Sequence, residues 1–594
     1  MVFLTQKKDA VDPLRVCVQG AHEFAKDFEI LKDLQKEFAG EDLGIEAIIK
    51  ENKRAFFFLR FTDTLAKEKF IKKGAFKLRN RNMKIREAKI SRETLKKERT
   101  IEELKNFAHK RQETTKKEIE EAKAEDANRE PMTREEMTQA LRQRICPFGD
   151  LSYPEQIQKK REILEGYLKD IKSIAKGRIQ PHDVQSMAWL NSKDETCCPL
   201  QDFVECDEDG RKFYRTKTEF SVGVSSIDQK AKVGFNVPAA HRRGFSIELC
   251  DSPEETLTLP VESFLTAQIA EDLIRGLEWP VFDRSTITGF WRFMVVRVSK
   301  VTKQMLINIV GNKKYFPENT FDTEFKQKFI SHFVQKLTTH DIMKGYKLMG
   351  ITFQHSDTSS DSIPYVEDVE LELVHGEQKT YEEKIASCVF EVSNSSFLQI
   401  NIKQTEKMYS WAQKYAGLDD KTVLLDICSG IGTIGITLGQ GCHKVVGIEM
   451  VKSACANAVK NAARNGMESK YEVVEGKVED KMEGVASQYS GQGLRIVGII
   501  DPPRAGVHPD VIRCLRTCRG LDELVFICCD VKQSKTNIID LCLPQNKKRR
   551  GPPFSPILCT GFDMFPYTNH FETMFVLKRL YEELGGVPIV KETN

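Results

Sequence analysis

The chain has 594 residues and a formal net charge of +3, and hydrophobic and charged residues make up 40% and 30% of it. This length exceeds what one hydrophobic core usually organises, so we expect three or four domains and exclude both a small module and wholesale disorder. No window approaches the roughly 18 unbroken apolar residues of a membrane span. The first residues show neither the apolar core of a signal peptide nor the arginine-rich pattern of a transit peptide. We therefore expect a cytoplasmic protein without a membrane partner, with nuclear residence as the alternative.

The sixteen cysteines are scattered without the framework of a small secreted domain, which predicts reduced thiols rather than disulfides. The nearest approach to a metal cluster is Cys146, Cys197, Cys198 and Cys206. Adjacent cysteines and the lack of a CxxC pair depart from zinc spacing, so we expect no metal.

Residues 13–91 alternate between strand and helix patterns in the order βαββαβ. The third strand, RAFFFLRF, resembles the RNP1 sequence of the RNA recognition motif, with Ala55 in place of its glycine. This resemblance implies that Phe56 and Phe58 face outward and stack on unpaired bases. The first strand, LRVCVQG, lacks the aromatic that is usual there, so burial of both phenylalanines by another part of the protein stays an alternative.

A basic stretch and a charged linker follow. Residues 67–89 carry ten Lys or Arg against Glu68 and Glu87, which favours a phosphate-facing surface. Residues 92–144 are rich in charges of both signs and predict a charged helical linker, either an exposed helix or a tether. Pro131 breaks this segment, and a further helix is predicted through residues 156–176.

Residues 145–385 are assigned to one central domain. From about residue 200 it shows alternating strand patterns with one helix near residues 321–337, which predicts a mainly antiparallel β domain that binds RNA. Aromatic and cationic side chains occur together in residues 214–220 and 289–292, as RNA contact requires, although core packing explains Phe220 and Trp291 equally well. The later run KKRR at 547–550 is interpreted as a solvated loop, with an RNA contact or a nuclear signal as alternatives.

From residue 386 to 585, β and α patterns alternate as in a Rossmann-like, doubly wound parallel sheet. The strand TVLLDIC runs into a glycine-rich turn at 429–435, whose small residues let the backbone approach a ligand. The next strand, KVVGIEM, reaches Glu449, which is placed to accept hydrogen bonds from ribose hydroxyls. Both features fit NAD and S-adenosylmethionine equally.

Four further motifs separate these two cofactors: DPPR at 501–504, ELVFICCD ending at Asp530, NHFETMFVLKR with His570 and Glu572, and SSFLQIN before the glycine-rich strand. Together they resemble the RNA uracil-C5 methyltransferases over residues 145–585. The resemblance implies S-adenosyl-L-methionine as cofactor and tRNA as partner. The implied reaction is methylation of C5 of the T-loop uridine 54, which becomes 5-methyluridine.

The same resemblance assigns the reacting groups. Cys529 is the implied nucleophile that adds to uracil C6, and Glu572 is the implied base that removes the C5 proton. Relatives usually read S-C-N-P around the nucleophile, whereas this chain reads C-C-D-V at 528–531. The strand register favours Cys529 over Cys528, whose side chain would point to the other side of the strand.

The resemblance also implies contacts with S-adenosylmethionine from Gln399, Cys428, Thr433, Glu449, Gly476 and Asp501. Two of these depart from the usual residue type, because relatives often carry an aromatic residue at Cys428 and an asparagine at Thr433. Arg504 is expected either to contact RNA phosphate or to brace its own loop.

Other functions stay open on the sequence alone. One is the same reaction on ribosomal or messenger RNA. A cytosine-C5 methyltransferase is disfavoured, because such enzymes carry the catalytic cysteine in different motifs and DPPR is here followed by Ala505 and Gly506. A different class is a non-catalytic RNA-binding or RNA-folding protein with a vestigial site, which the departure at 528–531 motivates.

Overall fold

The structure is a computed structural model in which two compact units, residues 1–129 and 130–594, are distinguished. The residues that it describes are 10–19, 27–38, 42–50, 56–74, 76–78, 81–90, 99–100, 132–181, 184, 187–238, 245–283, 286–358, 363, 371–504, 506–547 and 549–579. Most of the predicted charged linker therefore lies outside the described residues.

The first unit is an antiparallel sheet with two helices. Its elements are β1 (Ala10–Gln19), α1 (Asp27–Glu37), β2 (Ile45–Ile49), β3 (Phe56–Phe61), α2 (Thr64–Lys72), β4 (Phe76–Leu78), β5 (Arg81–Ile90) and β6 (Arg99–Thr100). The strand order is β4-β5-β1-β3-β2-β6. The four long strands and two helices follow each other as βαββαβ, with the short β4 and β6 added to the predicted pattern.

Alternation along β3 divides its side chains between two faces of this sheet. Phe57, Leu59 and Phe61 are buried in a core that also contains Ile30 of α1 and Phe70 of α2. The side chains between them therefore point to the opposite face, away from both helices.

The second unit begins with helices and a mixed β region. Its first elements are α3 (Arg134–Ile145), α4 (Tyr153–Lys176), α5 (Ala188–Asn191), α6 (Glu208–Arg211), β7 (Lys217–Val224), β8 (Ala231–Pro238), β9 (Phe245–Glu248), α7 (Pro253–Thr256), α8 (Val261–Arg275), β10 (Trp291–Ser299) and β11 (Gln304–Gly311). Then follow a π-helix (Asp322–Ile330), α9 (Ser331–Thr339), β12 (Lys347–His355), β13 (Glu372–Gly376), β14 (Thr380–Ile385) and β15 (Cys388–Ser393), with 3₁₀ turns at Lys313–Tyr315 and Asp341–Met343.

The strands of this region form a sheet in the order β13-β12-β11-β10-β7-β8-β9, with β14 and β15 as a separate hairpin. All pairs in the sheet are antiparallel except β11 with β12. The prediction of a single helix here was wrong, because α8 also packs on this sheet. Nine residues of α8, from Ser263 to Ile274, are buried, and its exposed polar stripe is narrow and formed by Gln268, Asp272 and Arg275.

The remaining elements build the doubly wound part of the fold. They are α10 (Ile402–Ala416), β16 (Thr422–Ile427), α11 (Thr433–Leu438), β17 (Lys444–Glu449), α12 (Lys452–Arg464), β18 (Tyr471–Glu475), α13 (Val478–Tyr489), β19 (Arg495–Ile500), α14 (Pro509–Thr517), β20 (Leu521–Cys528), α15 (Val531–Cys542), β21 (Ser555–Phe562) and β22 (Glu572–Lys578), with a 3₁₀ turn at Gly439–Gly441.

Their sheet has the order β18-β17-β16-β19-β20-β22-β21, in which the first five strands are parallel and β22 is antiparallel to both neighbours. Alternate residues face two separate cores: Leu425 and Phe526 enter one, and Leu424 and Val525 enter the other. The near-continuous burial of these strands is what a parallel sheet covered on both faces requires. Ligands bind such sheets at the carboxyl ends of the strands.

Helix α4 joins the first of these cores, through Leu164, Leu168 and Ile171. A capping box begins it: the Glu155 carboxylate accepts hydrogen bonds from the backbone N–H and hydroxyl of Ser152. The predicted helix at 156–176 is thus present, and it packs on the doubly wound sheet although more than 200 residues separate the two in sequence.

Candidate active site

The glycine-rich turn follows β16 and is held in a left-handed conformation. Cys428, Gly430 and Gly432 have φ values of 64°, 56° and 84°, a region that glycine adopts freely and other residues rarely. The N–H of Gly435 donates to Oδ2 of Asp426 at 2.8 Å, and a Cβ atom at Gly435 would lie 2.7 Å from that oxygen. The turn therefore needs glycine at 435 and a carboxylate at 426, a residue that the sequence reasoning missed.

Glu449 stands at the end of β17 beside this turn. Its Oε2 accepts from the N–H of Gly430 at 2.9 Å, and its Oε1 accepts from the N–H groups of Met450 and Val451 at 2.8 Å. A carboxylate has about four acceptor positions, so these three bonds leave one for a hydroxyl donor. The side chain thus fixes the turn and keeps the capacity expected of a ribose contact.

Two more predicted cofactor residues lie at the same edge of the sheet. Gly476 follows β18 with a φ of 144°, and its N–H donates to the backbone oxygen of Glu449 at 2.8 Å. Thr433 is the first residue of α11, and its Oγ1 accepts from the Tyr409 hydroxyl at 3.2 Å. With Cys428, these residues surround the carboxyl ends of β16, β17 and β18, and their backbone and carboxylate groups fit a nucleoside cofactor such as S-adenosylmethionine.

Asp501 and Gln399 join two distant segments. Asp501 directly follows β19, and Nε2 of Gln399 donates to its Oδ2 at 3.3 Å. Burial raises the pKa of Asp501 to about 6, although the hydrogen bond from Gln399 opposes the rise. The structure therefore brings together two residues that the sequence placed in separate motifs.

The two candidate nucleophiles differ in their surroundings. Cys528 is the last residue of β20, pairs with Thr573 of β22, and is 2% exposed within the core. Cys529 is half-buried, and continuing the strand register by one residue places it beside Glu572. Burial and the Glu572 carboxylate raise the pKa of Cys529 to about 11. Of the pair, Cys529 has both the access and the acidic neighbour that the predicted roles require.

Glu572 begins β22 and is 2% exposed. Burial and the neighbouring Asp501 raise its pKa well above the usual range, and Arg504 opposes them. Its Oε2 has no hydrogen-bond partner in the part of the chain that the structure describes. The unused oxygen can accept a proton when the carboxyl group is ionised, a state that the charge of Arg504 favours.

Arg504 is exposed beside these groups, and its positive charge lowers the pKa of both Cys529 and Glu572. It also opposes protonation of His570, whose pKa burial lowers first. Arg215 lies in the same neighbourhood: burial lowers its pKa, and Arg504 lowers it further. Arg215 was not among the predicted site residues, although it stands in the segment at 214–220 that the sequence indicated for RNA contact.

The unusual C-C-D-V sequence is accommodated by the fold. Asp530 caps α15, and its Oδ1 accepts from the N–H of Gln533 at 3.2 Å. Aspartate and asparagine are comparable helix caps. Val531 is 3% exposed and fills the core below the site. Neither residue displaces Cys529 from Glu572.

Phe56 and Phe58 share the face of the first unit's sheet that points away from the helices. Their ring centroids are 5.5 Å apart in an edge-to-face arrangement. Phe58 is 7% exposed and packs with Cys17 and Ile49, whereas Phe56 is half-buried. Phe56 is therefore the more accessible of the two predicted stacking residues.

Other predicted RNA contacts are placed in cores or loops. Phe220 and Trp291 are 0% and 1% exposed in the core of the central sheet, so core packing explains them. In the basic run at 547–550, Lys547 and Arg550 are exposed in an irregular segment after α15. Lys548 lies outside the described residues.

All sixteen cysteines are free. Within the described ranges, no group of three or more His, Cys, Asp or Glu residues is arranged to hold a metal ion. A search of the helices in those ranges finds none with the length and apolar character needed to cross a membrane.

Comparison with known proteins points to the same chemistry. The profile of the tRNA (Uracil-5-)-methyltransferase family matches residues 376–580. The tRNA (uracil-5-)-methyltransferase homolog A of Mus musculus is 28% identical over 448 residues, which cover 75% of this chain and 69% of the mouse protein. The Homo sapiens protein of the same name is 27% identical over 453 residues, covering 74% and 68%.

A solved structure of Pyrococcus abyssi tRNA (uracil-54, C5)-methyltransferase in complex with S-adenosyl-L-homocysteine is 18% identical, with a TM-score of 0.49 over 73% of this chain and 85% of that one. The family profile spans β14 to β22, and thus every predicted catalytic and cofactor residue. By this match, residues 376–580 of the chain are similar to the tRNA (uracil-5-)-methyltransferase family.

Proposed function

We propose that this protein transfers a methyl group from S-adenosyl-L-methionine to C5 of uridine in tRNA, at the T-loop uridine 54. The family match of residues 376–580 and the relatives named tRNA (uracil-5-)-methyltransferase support the reaction class. The observation that carries the proposal is the position of Cys529 beside Glu572, at the strand edge where Gln399, Glu449 and Asp501 also lie.

In the proposed reaction, Cys529 loses its proton to solvent and its sulfur adds to C6 of uracil, which makes C5 nucleophilic. S-Adenosyl-L-methionine, when bound, would supply the methyl group to C5 and leave as S-adenosyl-L-homocysteine. Glu572 then accepts the C5 proton, the C5–H electron pair restores the C5–C6 double bond, and the C6–S bond breaks to return the thiolate. The buried, unpartnered Oε2 of Glu572 supports this role.

Arg504 supports the reaction electrostatically. It lowers the pKa of the Cys529 thiol, which burial and Glu572 raise, so it favours the thiolate that attacks. Its exposed position also leaves it accessible to an RNA phosphate. The target base must leave the RNA stack to meet Cys529, at a cost of a few kcal/mol.

The first unit is proposed to be an RNA recognition motif. The βαββαβ succession and the neighbouring order β5-β1-β3-β2 support this assignment. Phe56, on the face opposite the helices, is the residue best placed to stack on a base. The unit would then bind RNA independently of the methyl transfer.

The test is to incubate the purified protein with unmodified tRNA and methyl-labelled S-adenosyl-L-methionine, digest the RNA and identify the labelled nucleoside. Labelled 5-methyluridine is expected, and none with Cys529→Ala. Label in another nucleoside would overturn the reaction. Tight RNA binding without any label would favour a non-catalytic RNA-binding protein. Label in ribosomal or messenger RNA but not in tRNA would show that the substrate is one of those RNAs instead.

A further inference from the structure

The loop at 563–571 connects β21 to β22 and ends directly before Glu572. Each backbone oxygen from residue 564 to 567 accepts a hydrogen bond from outside the loop. In chain order, the donors are Asn401 Nδ2 at 3.3 Å, Lys160 Nζ at 3.0 Å, Tyr214 Oη at 3.1 Å and the N–H of Phe148 at 2.9 Å. An irregular loop with all of these oxygens bound has little freedom to move.

Lys160 makes the most unusual of these contacts. Its Nζ lies 2.5 Å from Oδ1 of Asp563, at the start of the loop, and both side chains are 0% exposed. The same ammonium donates to the backbone oxygen of Phe565. A buried ammonium needs such partners, because an unpaired charge inside a protein is strongly destabilising. Lys160 therefore fixes the loop at two points.

A second residue of α4 holds the loop at its most strained point. Tyr567 has a φ of 66°, in the left-handed region that is costly for a residue other than glycine. Its N–H donates to Oε1 of Gln156 at 2.8 Å, while its backbone oxygen accepts from Phe148. Gln156 and Lys160 are four residues apart on α4, so both project from one face of the helix toward the loop.

Apart from Asn401, the side chains that hold the loop come from outside the segment that matches the methyltransferase family. Gln156, Lys160 and Tyr214 all precede residue 376, where the match begins. The loop before the proposed proton acceptor is thus held in place by a helix about 400 residues earlier in the chain.

We infer that Lys160 is a positioning residue for the proton-acceptor step: through Asp563 and Phe565 it sets the geometry of the 563–571 loop and hence of Glu572. This inference rests on the proposed function, because it assigns to Lys160 an effect on a step that Glu572 performs. The competing explanation is that the buried pair contributes only to stability.

The single variant Lys160→Met would leave the Asp563 carboxylate buried without its partner and is expected to fold poorly. The informative variant is therefore Lys160→Met with Asp563→Asn, which removes both charges and leaves the Phe565 oxygen without its ammonium. We expect it to fold, with kcat lowered ten- to a hundredfold and KM for tRNA within about twofold of the unaltered protein. Because addition and methyl transfer precede the impaired step, a covalent protein–RNA adduct should accumulate.

Lys172→Met is the matched control. Lys172 is a second buried lysine of α4, 3% exposed, and its Nζ binds the Ser192 hydroxyl and the backbone oxygens of Ser192 and Asp194 rather than the loop. Its loss should lower thermal stability without causing an adduct to accumulate. Glu572→Gln serves as the reference for a directly impaired proton acceptor.

The outcomes separate the inference from the proposed function. Unchanged kcat in the double variant overturns the positioning role. A lowered kcat without an adduct, while Glu572→Gln does accumulate one, shows that Lys160 acts on a different step and also overturns it. If neither variant accumulates an adduct while the unaltered protein turns over, the role proposed for Glu572 fails, and the inference fails with it.

Discussion

Cys529 and Glu572 lie one residue beyond the pair formed by Cys528 and Thr573, where β20 ends and β22 begins. The two side chains interact electrostatically, because burial and then the Glu572 carboxylate raise the pKa of the Cys529 thiol to about 11. The proposed nucleophile and the proposed proton acceptor are thus neighbours in the strand register although more than 40 residues separate them in sequence. The chemistry depends on the register of these two antiparallel strands.

The raised pKa of Cys529 predicts how the rate of its alkylation by iodoacetamide depends on pH. The thiolate is the reactive form, so the rate at Cys529 should rise about tenfold for each pH unit from 7 to 9 without a plateau. Cys528, at 2% exposure and with a pKa raised further by burial, should stay unlabelled. Peptide mass spectrometry measures both sites. Labelling of Cys528 before Cys529 would reverse the assignment of the nucleophile.

Glu572→Gln should speed the alkylation of Cys529 at pH 8, because it removes the carboxylate that opposes the thiolate. Cys514 offers an internal control: it is also half-buried with a pKa of about 11, but its acidic neighbours are Glu483, Glu479 and Asp480 rather than Glu572. Its rate should not change. Equal acceleration at both cysteines would point to a general loosening of the fold.

Asp501→Asn should stabilise the protein at pH 8 while impairing methylation. The pKa of Asp501 in the folded protein is about 6, above the usual value, so ionising it costs folding free energy as the pH rises through 6. We expect the variant to melt roughly 2–4 °C higher than the unaltered protein at pH 8. The difference should vanish below about pH 3, where the carboxyl group is protonated in both the folded and the unfolded protein.

Asp419→Asn is a control for which we expect the opposite change in melting temperature at pH 8. Hydrogen bonds from Thr422 and the N–H of Lys421 lower the pKa of Asp419, so its stabilising contribution is present above the ordinary aspartate pKa and lost in acid. This variant should melt lower than the unaltered protein at pH 8. A thermal melt series across pH distinguishes the two. Destabilisation by Asp501→Asn at pH 8 would contradict the cost assigned to the buried carboxylate.

Phe56→Ala should weaken RNA binding by about tenfold, the value of one lost base-stacking contact. Affinity for S-adenosyl-L-methionine should not change, because Phe56 belongs to the unit formed by residues 1–129. Phe56→Trp, which keeps a flat ring, is the matched control and should retain affinity. Binding is measured with fluorescently labelled tRNA at fixed salt. Equal affinity of the alanine variant would remove the proposed stacking role.

Much of the fold is visible in the sequence where periodicity is strong. The βαββαβ succession and the alternating strands and helices after residue 400 follow from their patterns. Helix α8 was missed because most of its surface is buried, which leaves a narrow exposed polar stripe to mark the helix. All of α3 except Ile145 was assigned to a charged linker, but Met137 and Leu141 pack against Val237.

The residues of the candidate site also fall into those that the sequence predicts and those that it does not. Glu449, Asp501 and Cys529 are found at strand ends, which the sequence predicts. Asp426 and Lys160 were not found, because their roles depend on contacts made only in the folded chain: a hydrogen bond to Gly435, and an ion pair with a residue 403 positions away. No local pattern distinguishes such residues from an ordinary acid or an ordinary helix lysine.

The most direct test of the central claim is the intact mass of the Glu572→Gln variant after incubation with tRNA and S-adenosyl-L-methionine, under denaturing conditions. We expect a covalent protein–RNA species that carries the transferred methyl group, is trimmed by nuclease to a nucleotide-sized adduct on Cys529, and is absent when Cys529→Ala is added. Free, fully methylated tRNA at the rate of the unaltered protein, with no adduct, would contradict the proposal that Cys529 and Glu572 share one covalent reaction.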